Sequence, residues 1–99
     1  MNINLLLDHE NVQRKAFSII SDLRELGIKF SYKLELTPGI IDHDHYFLII
    51  TPIKPKGVFL KKAVANKIVS EHIKALDRHL FEKGLVCEKS QCELRLLLY

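Results

Sequence analysis

Five lysines, Lys54, Lys56, Lys61, Lys62 and Lys67, crowd one short stretch of the chain, and no acidic residue lies between Asp44 and Glu71 to offset them. They surround the start of the helix that the pattern predicts after Gly57. Cations at a helix N-terminus oppose the macrodipole by roughly 0.3–1 kcal/mol each, so these lysines do not serve the helix itself. Backbone N–H groups and ammonium groups that converge on one point are suited to holding an anion. The expected ligand is phosphate, carried by a nucleic acid or a small molecule. The plainer alternative is a lysine cluster that only solvates its loop.

Asp42-His43-Asp44-His45 is the second candidate. On an extended strand His43 and His45 project to one face, where they could chelate a divalent ion with Asp42 or Asp44 beside them. The string from Asp42 to Ile50 resembles the His-x-His strand of HUH-type single-strand endonucleases, the rolling-circle initiators and single-strand transposases. That resemblance implies a ferredoxin-related core, a histidine-held metal and a helical tyrosine nucleophile. The chain departs from it in having Asp44 between the histidines and in having Tyr32, Tyr46 and Tyr99 on predicted strands or at the end of the sequence. Leu5 to Asn11 is similar to the opening strand of NYN-type nucleases, which implies a metal at Asp8. Read from the residues alone, Asp8 is the N-cap of a helix. His72 and His79 stand two helical turns apart, too far to share a metal at ~1.5 Å per residue. No glycine-rich phosphate loop, Ser-His-Asp arrangement or HExxH pattern occurs. The sequence therefore favours a non-enzymatic domain without a cofactor.

The elements that must position these groups follow from the hydrophobic pattern. At 99 residues the chain predicts a single domain over 1–99. Apolar residues at 47% and charged residues at 27% are ordinary for a globular protein. No run reaches the ~18 apolar residues of a membrane span, and no signal peptide is recognisable, so the expectation is a cytoplasmic protein that makes no use of a membrane. Net charge is +3, divided as −2 over residues 1–51 (five basic, seven acidic) and +5 over residues 52–99 (ten basic, five acidic). This asymmetry points to one basic face.

Residues 1–7 read as a short strand. Val12, Ala16, Ile19, Ile20, Leu23 and Leu26 then give a helical stripe that Gly27 ends. From Ile28 to Leu36, apolar residues alternate with Lys29, Ser31, Lys33 and Glu35, the signature of a strand with one buried face. Residues 45–51 are apolar on both faces and predict a central strand. A helix over about 58–83 carries a stripe of Leu60, Val64, Ile68, Ile73, Leu76 and Leu80, and Gly84 closes it. A final hairpin across Lys89-Ser90 sets Cys87 opposite Cys92, as small side chains rather than a disulfide in a reducing compartment.

The resulting expectation is an α+β two-layer sandwich. Two amphipathic helices lie on one face of a four- to five-stranded, mainly antiparallel sheet in ferredoxin-like βαββαβ(β) order, with βαβαββ as the alternative. The chain also reads as a helix–glycine–hairpin unit used twice. Such a fold does not name a function. The lysines favour a small binding domain for a phosphate-bearing partner, most simply nucleic acid. A protein-interaction module or inhibitor acting through an exposed sheet face or edge is the first alternative, and a metal-dependent single-strand nuclease using His43 and His45 the second. Leu97 and Tyr99 point opposite to Leu94, Leu96 and Leu98, so the outer face carries uncovered apolar area, which pairing with a second copy would cover if the strand is also a sheet edge. They predict a homodimer.

Overall fold

The computed structural model describes residues 3–39, 44–55, 57 and 61–99, with side chains from Glu10 onward. Helix α1 (Ile3–Arg24) is followed by strands β1 (Phe30–Thr37) and β2 (His45–Pro52), and helix α2 (Lys62–Glu82) by strands β3 (Cys87–Lys89) and β4 (Leu94–Leu97). The strands form one antiparallel sheet in the order β1-β2-β4-β3. No described helix is long and apolar enough to cross a membrane.

The expected N-terminal strand is instead the first part of α1, and the order is αββαββ rather than the ferredoxin-like βαββαβ. No turn former separates Leu7 from Asp8. Leucines are good helix formers, so the apolar run continues the helix, and Asp8 sits inside α1 rather than capping it. That also removes the strand on which the NYN-like reading depended.

The doubled unit is real in the architecture. Gly27 and Gly84 both adopt positive φ, 75° and 81°, a conformation that costs other residues a Cβ clash. After α2 the Leu85 amide donates to the Leu80 carbonyl and the Gly84 amide to the Phe81 carbonyl, a Schellman ending. In each half the next residues turn inward: Ile28 and Phe30 in the first, Leu85 and Cys87 in the second, all packed against the core. The second strand of each half, β2 or β4, then pairs antiparallel with its counterpart at the sheet centre. This explains why residues 45–51 are apolar on both faces.

The core joins Val12, Ala16, Ile19, Ile20 and Leu23 of α1 to Val69, Ile73, Leu76 and Leu80 of α2. Tyr46, Leu48, Ile50, Leu94, Leu96 and Leu98 complete it from one sheet face. The α2 stripe differs from expectation in its first turns. Counting back from Ile73 in fours gives Val69 and Ala65, which are buried, whereas Val64 is exposed. The helix begins at Lys62, and Val58 and Leu60 lie outside the described residues. Asp22 ties the two helices together, accepting from His79 Nε2 at 3.0 Å and Lys83 Nζ at 2.8 Å.

The last hairpin is longer than two residues. Ser90 Oγ accepts from the Glu93 and Cys92 amides at 3.1 and 3.4 Å, which builds a wider turn. Cys87 is then opposite Leu96, Glu88 opposite Arg95 and Lys89 opposite Leu94. Cys92 sits exposed in the turn, and both cysteines are free thiols. The slip from the expected pairing is an even number of residues, so Cys87 keeps its inward direction.

Candidate functional site

Where β2 ends and β1 begins, the Lys29 carbonyl accepts from the Ile53 amide at 2.9 Å. This bond joins the turn after α1 to the loop before α2, and three clefts with shared walls open around it. The largest, about 680 Å³, lies between the end of β2, the first turns of α2 and the β3–β4 turn. Its polar walls are Thr51, Lys54, Asn66, Lys67, Ser70 and Gln91. A second, about 640 Å³, shares Lys54 and adds Lys29 and His72 against Ile28, Ile53 and Ile68. The smallest, about 330 Å³, continues past Lys29 and Phe30 to Arg24. Arg24, Lys29, Lys54 and Lys67 line these clefts, and among the described residues no carboxylate does.

Two of the five lysines singled out in the sequence, Lys54 and Lys67, therefore meet in one cleft. Lys61 and Lys62 are exposed at the start of α2 and do not line it, and Lys56 lies outside the described residues. Lys61 occupies the N-cap position with extended backbone (φ −68°, ψ 145°), and its side chain gives no capping hydrogen bond. The first turn of α2 also holds no acidic residue. The leading N–H groups of that helix are thus without a side-chain acceptor from the cap, next to a surface rich in cations.

Sequence reasoning did not place Arg24 or His72 in this site, and it read Lys29 only as a solvent-facing strand residue. The signal that could have found them is Gly27, whose left-handed turn brings Arg24 and Lys29 back together beside Ile53. The Nδ1 atom of His72 is buried and has no hydrogen-bond partner among the described residues. Burial raises the Cys87 thiol to about 11, with the Asp77 carboxylate adding to the effect, so little of this side chain is thiolate near neutral pH.

The histidine pair cannot be assembled from the described residues. His43 and Asp42 lie outside them, and Asp44 Oδ1 accepts from the Gly39 amide at 3.1 Å. The Nδ1 of His45 is 3.1 Å from the main-chain oxygen of Tyr99. Among the described residues no group of three or more His, Cys, Asp or Glu side chains is placed to hold a metal.

Comparison with protein families, with curated proteins and with solved structures gives no match. Any functional reading therefore stands on the geometry.

The sheet face opposite the core carries a different arrangement. The guanidinium of Arg95 on β4 stacks over the Phe47 ring at 4.2 Å and reaches Glu35 Oε1 and Thr37 Oγ1 on β1 at 3.2 and 3.4 Å. Its side chain crosses β2 and, with its neighbours, keeps Ile49 only 4% exposed on a face that carries no helix stripe. Leu97 does point to this face and is half exposed, as expected. The strand that carries it is not an edge, because β4 pairs with both β2 and β3. The dimer contact expected at Leu97 and Tyr99 therefore loses its strand-edge basis.

Proposed function

We propose that this protein is a non-enzymatic binding domain for a phosphate-bearing partner, most simply nucleic acid, held along the end of the sheet where the three clefts meet. The observation that carries this reading is their lining: Arg24, Lys29, Lys54 and Lys67 with no carboxylate among the described residues, beside a first turn of α2 that receives no side-chain cap from Lys61. Asn66, Ser70 and Gln91 supply further donors. The cations in this lining match phosphate rather than one base, so binding is expected to rest on backbone charge and to be weakly sequence-specific.

Salt tests this directly. Each neutralised duplex phosphate contributes about −0.9 to the slope of log affinity against log salt. Four cations give a slope near −3.6, so affinity falls on the order of 10²-fold between about 50 and 200 mM salt. Fluorescence anisotropy with labelled single- and double-stranded oligonucleotides, with and without Mn²⁺, measures it. Lys54→Glu/Lys67→Glu is expected to abolish binding while leaving the circular dichroism spectrum unchanged. Salt-insensitive binding, or none at either concentration, would reject the reading.

The nuclease alternative requires His43 and His45 to act together. Its check is Mn²⁺-dependent cleavage of the same oligonucleotides, lost in His45→Ala. The protein-interaction alternative draws support from a different feature, strand β1.

A further inference from the structure

Among the described residues strand β1 is an edge of the sheet and has a strand neighbour on one side only, β2. Its core-facing row is Phe30, Tyr32, Leu34 and Leu36, which pair with Pro52, Ile50, Leu48 and Tyr46. Phe30 packs against the core. Tyr32, Leu34 and Leu36 are 41%, 37% and 49% exposed although their β2 partners are buried. The alternation that marks this strand in the sequence thus directs three large apolar side chains to the core side, and the core does not cover them.

The hydrogen-bond phase of this edge is set. The Lys29–Ile53 bond, continued along the β1–β2 register, turns the N–H and C=O groups of Ser31, Lys33, Glu35 and Thr37 toward β2. The N–H and C=O groups of Tyr32, Leu34 and Leu36 point outward, along the free edge. Native sheets blunt such an edge with charged side chains, prolines, bulges or inward-pointing charges. Between Phe30 and Thr37 the charges are Lys33 and Glu35, both on the face away from the core, and the inward row is apolar throughout.

We propose that β1 pairs antiparallel with β1 of a second copy, about a two-fold axis at Leu34, to give one continuous eight-stranded sheet (two sets of four). The sequence of the strand is self-complementary about that residue. Tyr32 faces the partner's Leu36 and Leu34 faces the partner's Leu34, each in a pair that exchanges two N–H···O bonds. On the opposite sheet face Lys33 stands across from the partner's Glu35 in the closer, non-hydrogen-bonded type of pair. Glu35 already accepts from Arg95, so the cross-strand lysine extends an existing ion pair.

Other registers are worse. An axis at Lys33 sets two lysines face to face, an axis at Glu35 sets two glutamates face to face, and like charges directly opposite destabilise a pair. An axis at Tyr32 or Leu36 shortens the overlap of the strands. The two-fold runs perpendicular to the sheet, so both exposed apolar rows fall on one face and bury each other.

Analytical ultracentrifugation across about 10 µM to 1 mM tests the proposal, with amide exchange by NMR as the structural readout. The expected mass rises from 11.5 kDa toward twice that value. Exchange at Tyr32, Leu34 and Leu36 slows with concentration, while the β2-bonded amides of Lys33 and Glu35 stay protected throughout. Lys33→Glu, which sets two carboxylates across the pair, is expected to weaken association at least tenfold. The swap Lys33→Glu/Glu35→Lys restores it. Leu34→Lys abolishes it in a chain that still folds, because Leu34 is already over a third exposed. A monomer up to 1 mM overturns the proposal. So does a dimer that Lys33→Glu and Leu34→Lys leave intact, and so does capture of a different protein by β1 while the isolated chain stays monomeric.

Discussion

Replacing Arg95 with alanine removes four contributions at once from the open sheet face, the weakest being its 3.4 Å hydrogen bond to Thr37 Oγ1. The guanidinium sits 4.2 Å from the centroid of Phe47, an arrangement worth roughly 0.5–1 kcal/mol at a partly exposed site. Its ion pair with Glu35 joins side chains 34% and 40% exposed, so it contributes only about 0.2–1 kcal/mol. The aliphatic stem also shields Ile49, which is buried on a face without a helix stripe. Against these gains stands the buried Nε of Arg95, which has no hydrogen-bond partner and carries a desolvation cost. The expected net loss for Arg95→Ala is about 1–2 kcal/mol, read in urea as a midpoint lowered by roughly 0.5–1 M at a typical slope for a small domain. Arg95→Met keeps most of the stem and should lose about half as much. Double-mutant cycles separate the parts. The Arg95–Phe47 coupling is expected to survive about 0.5 M salt, whereas the Arg95–Glu35 coupling fades as the screening length shortens. A change below about 0.3 kcal/mol in Arg95→Ala would refute the reasoning, and so would a methionine variant no more stable than the alanine one.

Two further predictions concern the titrating groups. Cys87 has its thiol raised from 9.0 to about 11 by burial and by the nearby Asp77. Its contribution to stability is therefore present below its ordinary value and is lost as pH rises through about 11. Iodoacetamide at about pH 8 should modify the exposed Cys92 first and Cys87 only on unfolding; equal rates by peptide mass mapping would contradict this. Asp22 is held below its ordinary value of 3.8, first by its hydrogen bond from Lys83 and then by that from His79, against an opposing desolvation effect. The stabilisation it gives is present above that ordinary value and is lost as pH falls through the lowered one. Asp22→Asn should lower the urea midpoint at about pH 7 and match the wild type at about pH 2. An equal deficit at both pH values would show that the effect is packing and not charge.

Local pattern determined a good deal of this protein. The period-two alternation from Ile28 to Leu36 specified β1 and its faces, because side-chain direction in a strand alternates by geometry. The two-sided apolar run at 45–51 specified a central strand, and β2 is one. Gly27 and Gly84 marked the helix ends, because only glycine enters the left-handed region without cost. Each of these depends on neighbours within a turn or a few residues. The N-terminal run Leu5-Leu6-Leu7 has no such marker. As a short apolar stretch it reads equally as strand or helix, and its continuation into the α1 stripe settled it.

What lies beyond sequence neighbours was decided by tertiary structure. The pairing of β2 with β4 made β1 and β3 the edges of the described sheet and put the terminal strand inside it, so the exposed apolar row that lies along an edge is Tyr32, Leu34 and Leu36, while Leu97 and Tyr99 stay exposed on an interior strand and at the terminus. The same folding selected Lys54 and Lys67 from the run of lysines and joined them to Arg24 and Lys29, which are distant along the chain. A sequence pattern specifies which way a side chain points on its own element. Whether another element then covers that side chain depends on the order in which the strands assemble, and no local pattern records it.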